Sequence, residues 1–170
     1  LERGKRYPYT PEEKRVLKNL VSIDLPNVPT GGNFTESFDA SFTWADLEWV
    51  RSVSSMPVIM KGIQTAEDAK RCVESGVDAL IVSNHGGFAG QGVRGTAEVL
   101  PEVVDAVGDS IEVYVDGGVR RGTDVLKALS IGAKAVLIGR PMLWGLLADG
   151  EAGVKRVLEI LWDELNVAMG

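Results

Sequence analysis

From Thr43 onward, short apolar runs of strand length alternate with stretches of helical spacing. Thr43 and Asp46 form a capping-box pair, and Trp44, Leu47 and Val50 follow at the spacing of a helix face. Pro57-Val58-Ile59-Met60 reads as a strand. Thr65 with Asp68 is a second capping box, opening a helix through Ala69, Cys72 and Val73 that Gly76 ends. Ala79-Leu80-Ile81-Val82 is the next strand. A glycine-rich loop leads to a helix over Glu98 to Val107, a strand from Glu112 to Val115, and a helix from Asp124 to Ser130 that Gly132 stops. Ala135 to Ile138 reads as the last strand. Pro141 then opens a short helix, and Val154, Val157, Leu158, Leu161 and Leu165 share one face of a final amphipathic helix.

The strands are continuous apolar runs, which a parallel sheet with both faces covered requires. The pattern is therefore α/β, with four βα units behind a leading helix. An open doubly wound sheet and a (β/α)8 barrel both fit it. A barrel takes eight strands and about 250 residues, so a barrel reading makes this chain about half of one. Residues 1 to 42 read as an irregular arm. Thr10-Pro11-Glu12-Glu13 marks a short helix start, and Pro26, Pro29, Gly31 and Gly32 break anything regular after it.

With 170 residues, 45% of them hydrophobic, the chain can bury a sizeable core. A formal net charge of -6 argues against a nucleic-acid surface, which needs a basic face. The single cysteine, Cys72, rules out an intrachain disulfide, suits a reducing compartment such as the cytoplasm, and reads as a packed core residue. No stretch reads as a bilayer span or a signal peptide. A first residue of Leu1 is compatible with a fragment or a processed chain.

Chemistry-bearing residues recur where the apolar runs stop. Lys61-Gly62 ends the first strand, Ser83-Asn84-His85-Gly86-Gly87 the second, Asp116-Gly117-Gly118-Val119-Arg120 the third, and Gly139-Arg140 the fourth. In both candidate architectures, ligands gather at the carboxyl ends of the strands. Glycines allow backbone N–H groups to approach an anion, a following helix start adds its dipole, and arginine adds a bidentate fork. Two adjacent turns of this kind favour a phosphate site over ordinary βα turns with solvated arginines. Lys61 can hold a negative charge, neutralise a developing one or form a Schiff base, unless it simply snorkels to the surface. His85 can act as a general base near neutral pH, against the plainer reading of a histidine satisfied by nearby backbone. A metal site is not expected, because there is no second histidine. Asp116 can orient a sugar-like hydroxyl or cap the next turn.

Several of these segments resemble the FMN-dependent 2-hydroxy acid oxidases and dehydrogenases. They are KGI at Lys61, SNHGG at Ser83, VLPEVVDAVG at Val99, DGGVRRGTDVLKALSIGAKAVLIGRP at Asp116, and WGL at Trp144. The resemblance covers roughly residues 43 to 170. It implies the C-terminal half of a (β/α)8 barrel, FMN as cofactor, a small-molecule substrate and a homo-oligomer of assembled barrels. Lys61 would lie against the flavin N1/O2 edge, and Ser83 would touch the flavin too. His85 would take a substrate proton, Asp116 would bind the ribityl chain, and Gly117, Gly118, Val119, Arg120, Gly139 and Arg140 would hold the phosphate.

The sequence departs from the family's pattern in two respects. Where the family carries an arginine that grips the substrate carboxylate, this chain has Phe88, with Arg94 six residues on as the possible substitute. Phe88 and Arg94 are therefore the expected substrate-side residues, and Phe88 suits an apolar group. The second departure is the first half of the barrel. Residues 1 to 42 would match part of the long loop after barrel strand 4, so an N-terminal half-barrel, nicked or separately encoded, is the expected partner. Two rival readings stand beside this one: a flavin-binding barrel without hydroxy-acid turnover, and a flavin-free barrel for a sugar phosphate.

Overall fold

The computed structural model describes residues 41–87 and 93–170. The arm at residues 1–40 and Phe88 lie outside the described residues. Thr43–Gly170 form one compact unit. Its order is α1 (Asp46–Val53), β1 (Ile59–Ile63), α2 (Ala66–Glu74), β2 (Ala79–Val82), a 3-10 turn (His85–Gly87), α3 (Thr96–Val107), β3 (Glu112–Val115), α4 (Gly122–Ile131), β4 (Ala135–Val136) and α5 (Arg140–Met169). The strands form one sheet in the order β1-β2-β3-β4, every pair parallel. Consecutive parallel strands need a crossover, and a helix supplies each one.

The central strand β2 is buried along its whole length, as its unbroken apolar run requires. Val99, Leu100, Val103 and Val107 of α3 join Leu80, Val82, Val113 and Val115 in the core, with Ala69 and Cys72 of α2. Burial pushes the Cys72 thiol up to about 11, with the Asp68 carboxylate adding to the shift. Cys72 therefore packs as a small neutral hydrophobe.

Two strands differ from their sequence boundaries. β1 runs over Ile59–Ile63 rather than 57–60. Pro57 has no N–H to donate, and Val58 gives its own to the Asp78 carboxylate at 2.7 Å. Pairing then continues through Lys61, because ladder bonds are made by backbone whatever the side chain. β4 stops at Val136, although Leu137 N–H still reaches Val115 O at 2.9 Å. Beyond it the chain leaves the sheet at Gly139 to begin α5, with Pro141 in the first turn.

α5 is interrupted at Asp149 and Gly150, so the short helix and the amphipathic helix form two segments. They meet where a Cβ on Gly153 would stand 1.9 Å from Gly145 O, a closeness only glycine permits. The second segment fixes α4. Glu164 accepts from Gly122 N–H and from the Arg121 guanidinium, both at 2.8 Å. Because every strand pair is parallel, the turn after β3 lies at the same sheet end as the turns after β1, β2 and β4.

Candidate active site

Lys61, His85, Asp116, Gly117, Gly118, Val119, Arg120, Gly139 and Arg140 line one cavity of about 620 Å³ at the carboxyl end of the sheet. The register explains the convergence. Lys61 pairs with Ile81, Val82 with Val115, and Val115 with Val136, so the four runs end nearly level. Leu137, Ile138, Pro141 and Trp144 supply an apolar wall. The volume lies within the range of about 300–1,000 Å³ that small-molecule and cofactor sites occupy.

Polar contacts tie the ends of β1, β2 and β3 together. The Lys61 ammonium donates to Ser83 Oγ at 2.8 Å and pairs with Asp116 Oδ2 at 2.8 Å. The same Ser83 Oγ accepts from His85 N–H at 3.2 Å. Asp116 Oδ1 is buried and has no partner among the described residues. An unpaired carboxylate oxygen is costly to bury, so a bound donor is the natural complement to it. Ser83 is 1% exposed and lies behind the cavity wall rather than on it.

The β3–β4 side is more open. A Cβ built on Gly118 or Gly139 would meet nothing within 4 Å. Arg120 lies over the Trp144 ring at 5.8 Å to the centroid, and Arg140 donates to Gly86 O at 3.2 Å. The sequence suggests that the helix start after Gly117-Gly118 adds backbone donors for an anion. Here the Arg120 and Arg121 N–H groups both bond Asp124 Oδ2 at 3.0 Å, and Glu164 takes that of Gly122. The α4 terminus is satisfied by Asp124 of its own first turn and Glu164 of α5, which leaves the Arg120 guanidinium to face the cavity.

Arg94 is not brought into the cavity. Its guanidinium bonds the Glu102 carboxylate at 2.8 Å and Glu98 O at 3.4 Å. Glu102 also accepts from Ala66 N–H at 2.9 Å, and these hydrogen bonds hold its carboxyl below the ordinary glutamate value. A guanidinium held by the nearest carboxylate on α3 is not free to grip a substrate.

Three contributors to the site were missed in the sequence. Gly62 sits at a β-bulge with φ +103°, and a Cβ there would meet His85 Cε1 at 3.0 Å. Gly62 therefore leaves room for the imidazole, and a glycine inside a strand signals such a close approach. Gln64 Nε2 donates to Ser83 O at 3.0 Å, and no local pattern announces it. Trp144 stacks under Arg120, a contact made across the fold. His85 itself takes φ 53°, a left-handed conformation uncommon outside glycine and concentrated at functional sites.

Known proteins resemble this chain in sequence and fold. The profile of the FMN-dependent dehydrogenase family matches residues 12–170, reaching further toward the N-terminus than the motifs alone. An L-lactate oxidase of Nostoc sp. is 47% identical over 99% of this chain and 48% of its own length. A peroxisomal (S)-2-hydroxyacid oxidase of Arabidopsis thaliana is 55% identical over 90% of this chain and 44% of its own. A crystal structure of mandelate oxidase with (S)-2-phenylpropionate superposes with a TM-score of 0.73 at 49% identity, over 76% of this chain and 39% of that one. The chain thus spans less than half the length of each of these relatives. The four βα units are the C-terminal half of a (β/α)8 barrel. A family profile matched over residues 12–170 and relatives about half identical over nearly the whole chain place the chain in the FMN-dependent dehydrogenase family.

Proposed function

We propose that this half-barrel holds FMN and supports oxidation of a 2-hydroxy acid, or a related α-substituted compound, at its α-carbon. The observation that carries the reading is the convergence of Lys61, His85, Asp116 and the two glycine–arginine turns on one cavity. The residues present suit the cofactor. Gly118 and Gly139 leave space beside Arg120 and Arg140 for a phosphate. The unpartnered Asp116 Oδ1 can accept from a ribityl hydroxyl, and Lys61 can face the flavin edge that gains negative charge.

Bound FMN supplies the two-electron acceptor. Oxidation to a 2-oxo acid removes two electrons and two protons from the substrate; His85 would take one proton, and the other would leave with the electron pair to the acceptor. Lys61 would set its ammonium group beside the reduced cofactor, and Arg120 and Arg140 would hold its distant phosphate. The barrel's other half, on whichever polypeptide it lies, completes the cavity. The two sheet edges at β1 and β4 and the exposed Ile59 and Leu137 support that partner. Assembled barrels then associate as a homo-oligomer. Among the described residues no helix is long and apolar enough to cross a membrane. The Arabidopsis relative's name puts a peroxisomal location beside the cytoplasmic one.

A second reading draws support from Arg94. With that guanidinium held by Glu102 and Phe88 at the family's arginine position, this stretch offers a simple hydroxy acid no carboxylate fork. The substrate is then larger or less acidic, or flavin binds without hydroxy-acid turnover.

Anaerobic mixing of the flavin-loaded protein with a panel of 2-hydroxy acids and bulkier aryl analogues separates these readings. Bleaching of the flavin band by short hydroxy acids supports the first. Bleaching by aryl compounds alone supports a changed substrate. A band that no compound bleaches overturns turnover and leaves flavin binding.

A further inference from the structure

We propose that Ser83 is a positioning residue that fixes the Lys61 charge and the His85 backbone to a single oxygen atom. The inference rests on the reading of the cavity as a flavin site and deepens it. Ser83 Oγ accepts from the Lys61 ammonium at 2.8 Å and from His85 N–H at 3.2 Å. Neither donor can act as an acceptor, so both lone pairs of the hydroxyl are committed.

The serine is itself buried and held by its own backbone bonds. It is 1% exposed, its N–H reaches Ile63 O at 3.4 Å, and its carbonyl accepts from Gln64 Nε2 at 3.0 Å. Ser83 is therefore a fixed point from which two catalytic elements hang.

Each needs such a point for a different reason. A lysine side chain is flexible, and its ammonium has three donors. Ser83 and Asp116 occupy two of them, and the third is left to aim into the cavity that Lys61 lines. His85 has a left-handed backbone at φ 53°, which a non-glycine residue holds only when its surroundings enforce it. The bond from His85 N–H to Ser83 Oγ is one such enforcement, and Gly62 beneath the ring leaves the imidazole its space.

The test reads cofactor properties as well as rate. Ser83→Ala is expected to weaken FMN binding about tenfold, the loss of one charge-assisted hydrogen bond, measured by flavin fluorescence quenching. The flavin midpoint potential should move to more negative values, because the cation beside the reduced ring is no longer held. With a bleaching substrate, kcat should fall with little change in KM, and Ser83→Thr should restore part of both effects. In a Lys61→Met background, Ser83→Ala should add no further shift in potential, since the serine acts through that lysine. If Ser83→Ala does not fold, Ser83→Cys keeps the shape, removes the strong acceptor and should give the same shift.

An unchanged FMN affinity and potential in the folded variant overturns the proposal, as does a full additive shift in the Lys61→Met background. Failure of every substrate to bleach the wild-type flavin would instead sink the turnover reading. The affinity and potential results would remain decisive for Ser83.

Discussion

The two sides of the cavity are constructed differently. On the Lys61 side, Lys61, Ser83, His85 and Asp116, from the ends of β1, β2 and β3, hold one another through bonds of 2.8 to 3.2 Å. On the β3–β4 side, Gly118 and Gly139 face open space and the exposed Arg120 and Arg140 reach in from a loop and a helix start. The first side is preorganised, which chemistry demands, because a group displaced by about 1 Å can cost a hundredfold in rate. The second side is left open, which suits an anionic ligand that brings its own acceptors. Substitutions on the first side should therefore act mainly on rate and flavin potential, with a smaller cost in affinity, and those on the second on affinity.

The largest effect should come from His85. His85→Asn removes the base, and the rate of anaerobic flavin bleaching should fall by about 10²–10⁴-fold while FMN stays bound. Comparable loss of FMN would erase the distinction between the two sides. On the other side, Arg140→Met should weaken FMN about ten- to a hundredfold, from the loss of a charge-assisted bond. Its bleaching rate at saturating FMN should stay near that of the wild type. Arg140 also bonds Gly86 O, so a large fall in that rate would show that the two sides are coupled through the His85 turn.

Gly62→Ala sharpens the comparison from the backbone. The bulge at φ +103° strains any side chain, and a methyl group would press on His85 Cε1 at 3.0 Å. Thermal unfolding should show a loss of about 1–3 kcal/mol, together with slower bleaching. An unchanged melting temperature would mean that the bulge relaxes freely.

The smallest effect should be at Glu102, outside the cavity. Its carboxyl lies below the ordinary value of 4.5 through hydrogen bonds from Ala66 and Arg94. A folded pKa below the unfolded one gives stability that is present above pH 4.5 and lost as pH falls through the folded value. Glu102→Gln should thus be less stable than wild type at neutral pH, and the gap should close in acid. A gap that is independent of pH would place the effect in packing.

Much of the fold could be read from the sequence. β2 and β3 coincide with their predicted spans residue for residue: β2 is fully buried and shows only apolar positions, while β3 buries Val113 and Val115 and exposes Glu112. The edge strands β1 and β4 shifted or shortened, since their ends depend on partners such as Asp78 and on where Gly139 turns the chain. Most candidate residues of the site were legible for a related reason. Lys61, His85, Asp116 and the glycine–arginine pairs interrupt apolar runs, and in a parallel sheet those interruptions share one edge.

By itself, then, the sequence determined the class of fold, the sheet end that carries the chemistry and most of the groups that line it. These follow from local periodicity and from motifs contiguous in the chain. Only the tertiary structure decided that Ser83 serves Lys61 and His85 together, that Gly62 makes room for the imidazole, and that Asp124 and Glu164 cap α4. It also decided that Glu102 draws Arg94 away from the cavity. Many of these contacts join residues far apart in sequence, and even the local ones depend on where the folded backbone aims each donor, which no local pattern encodes.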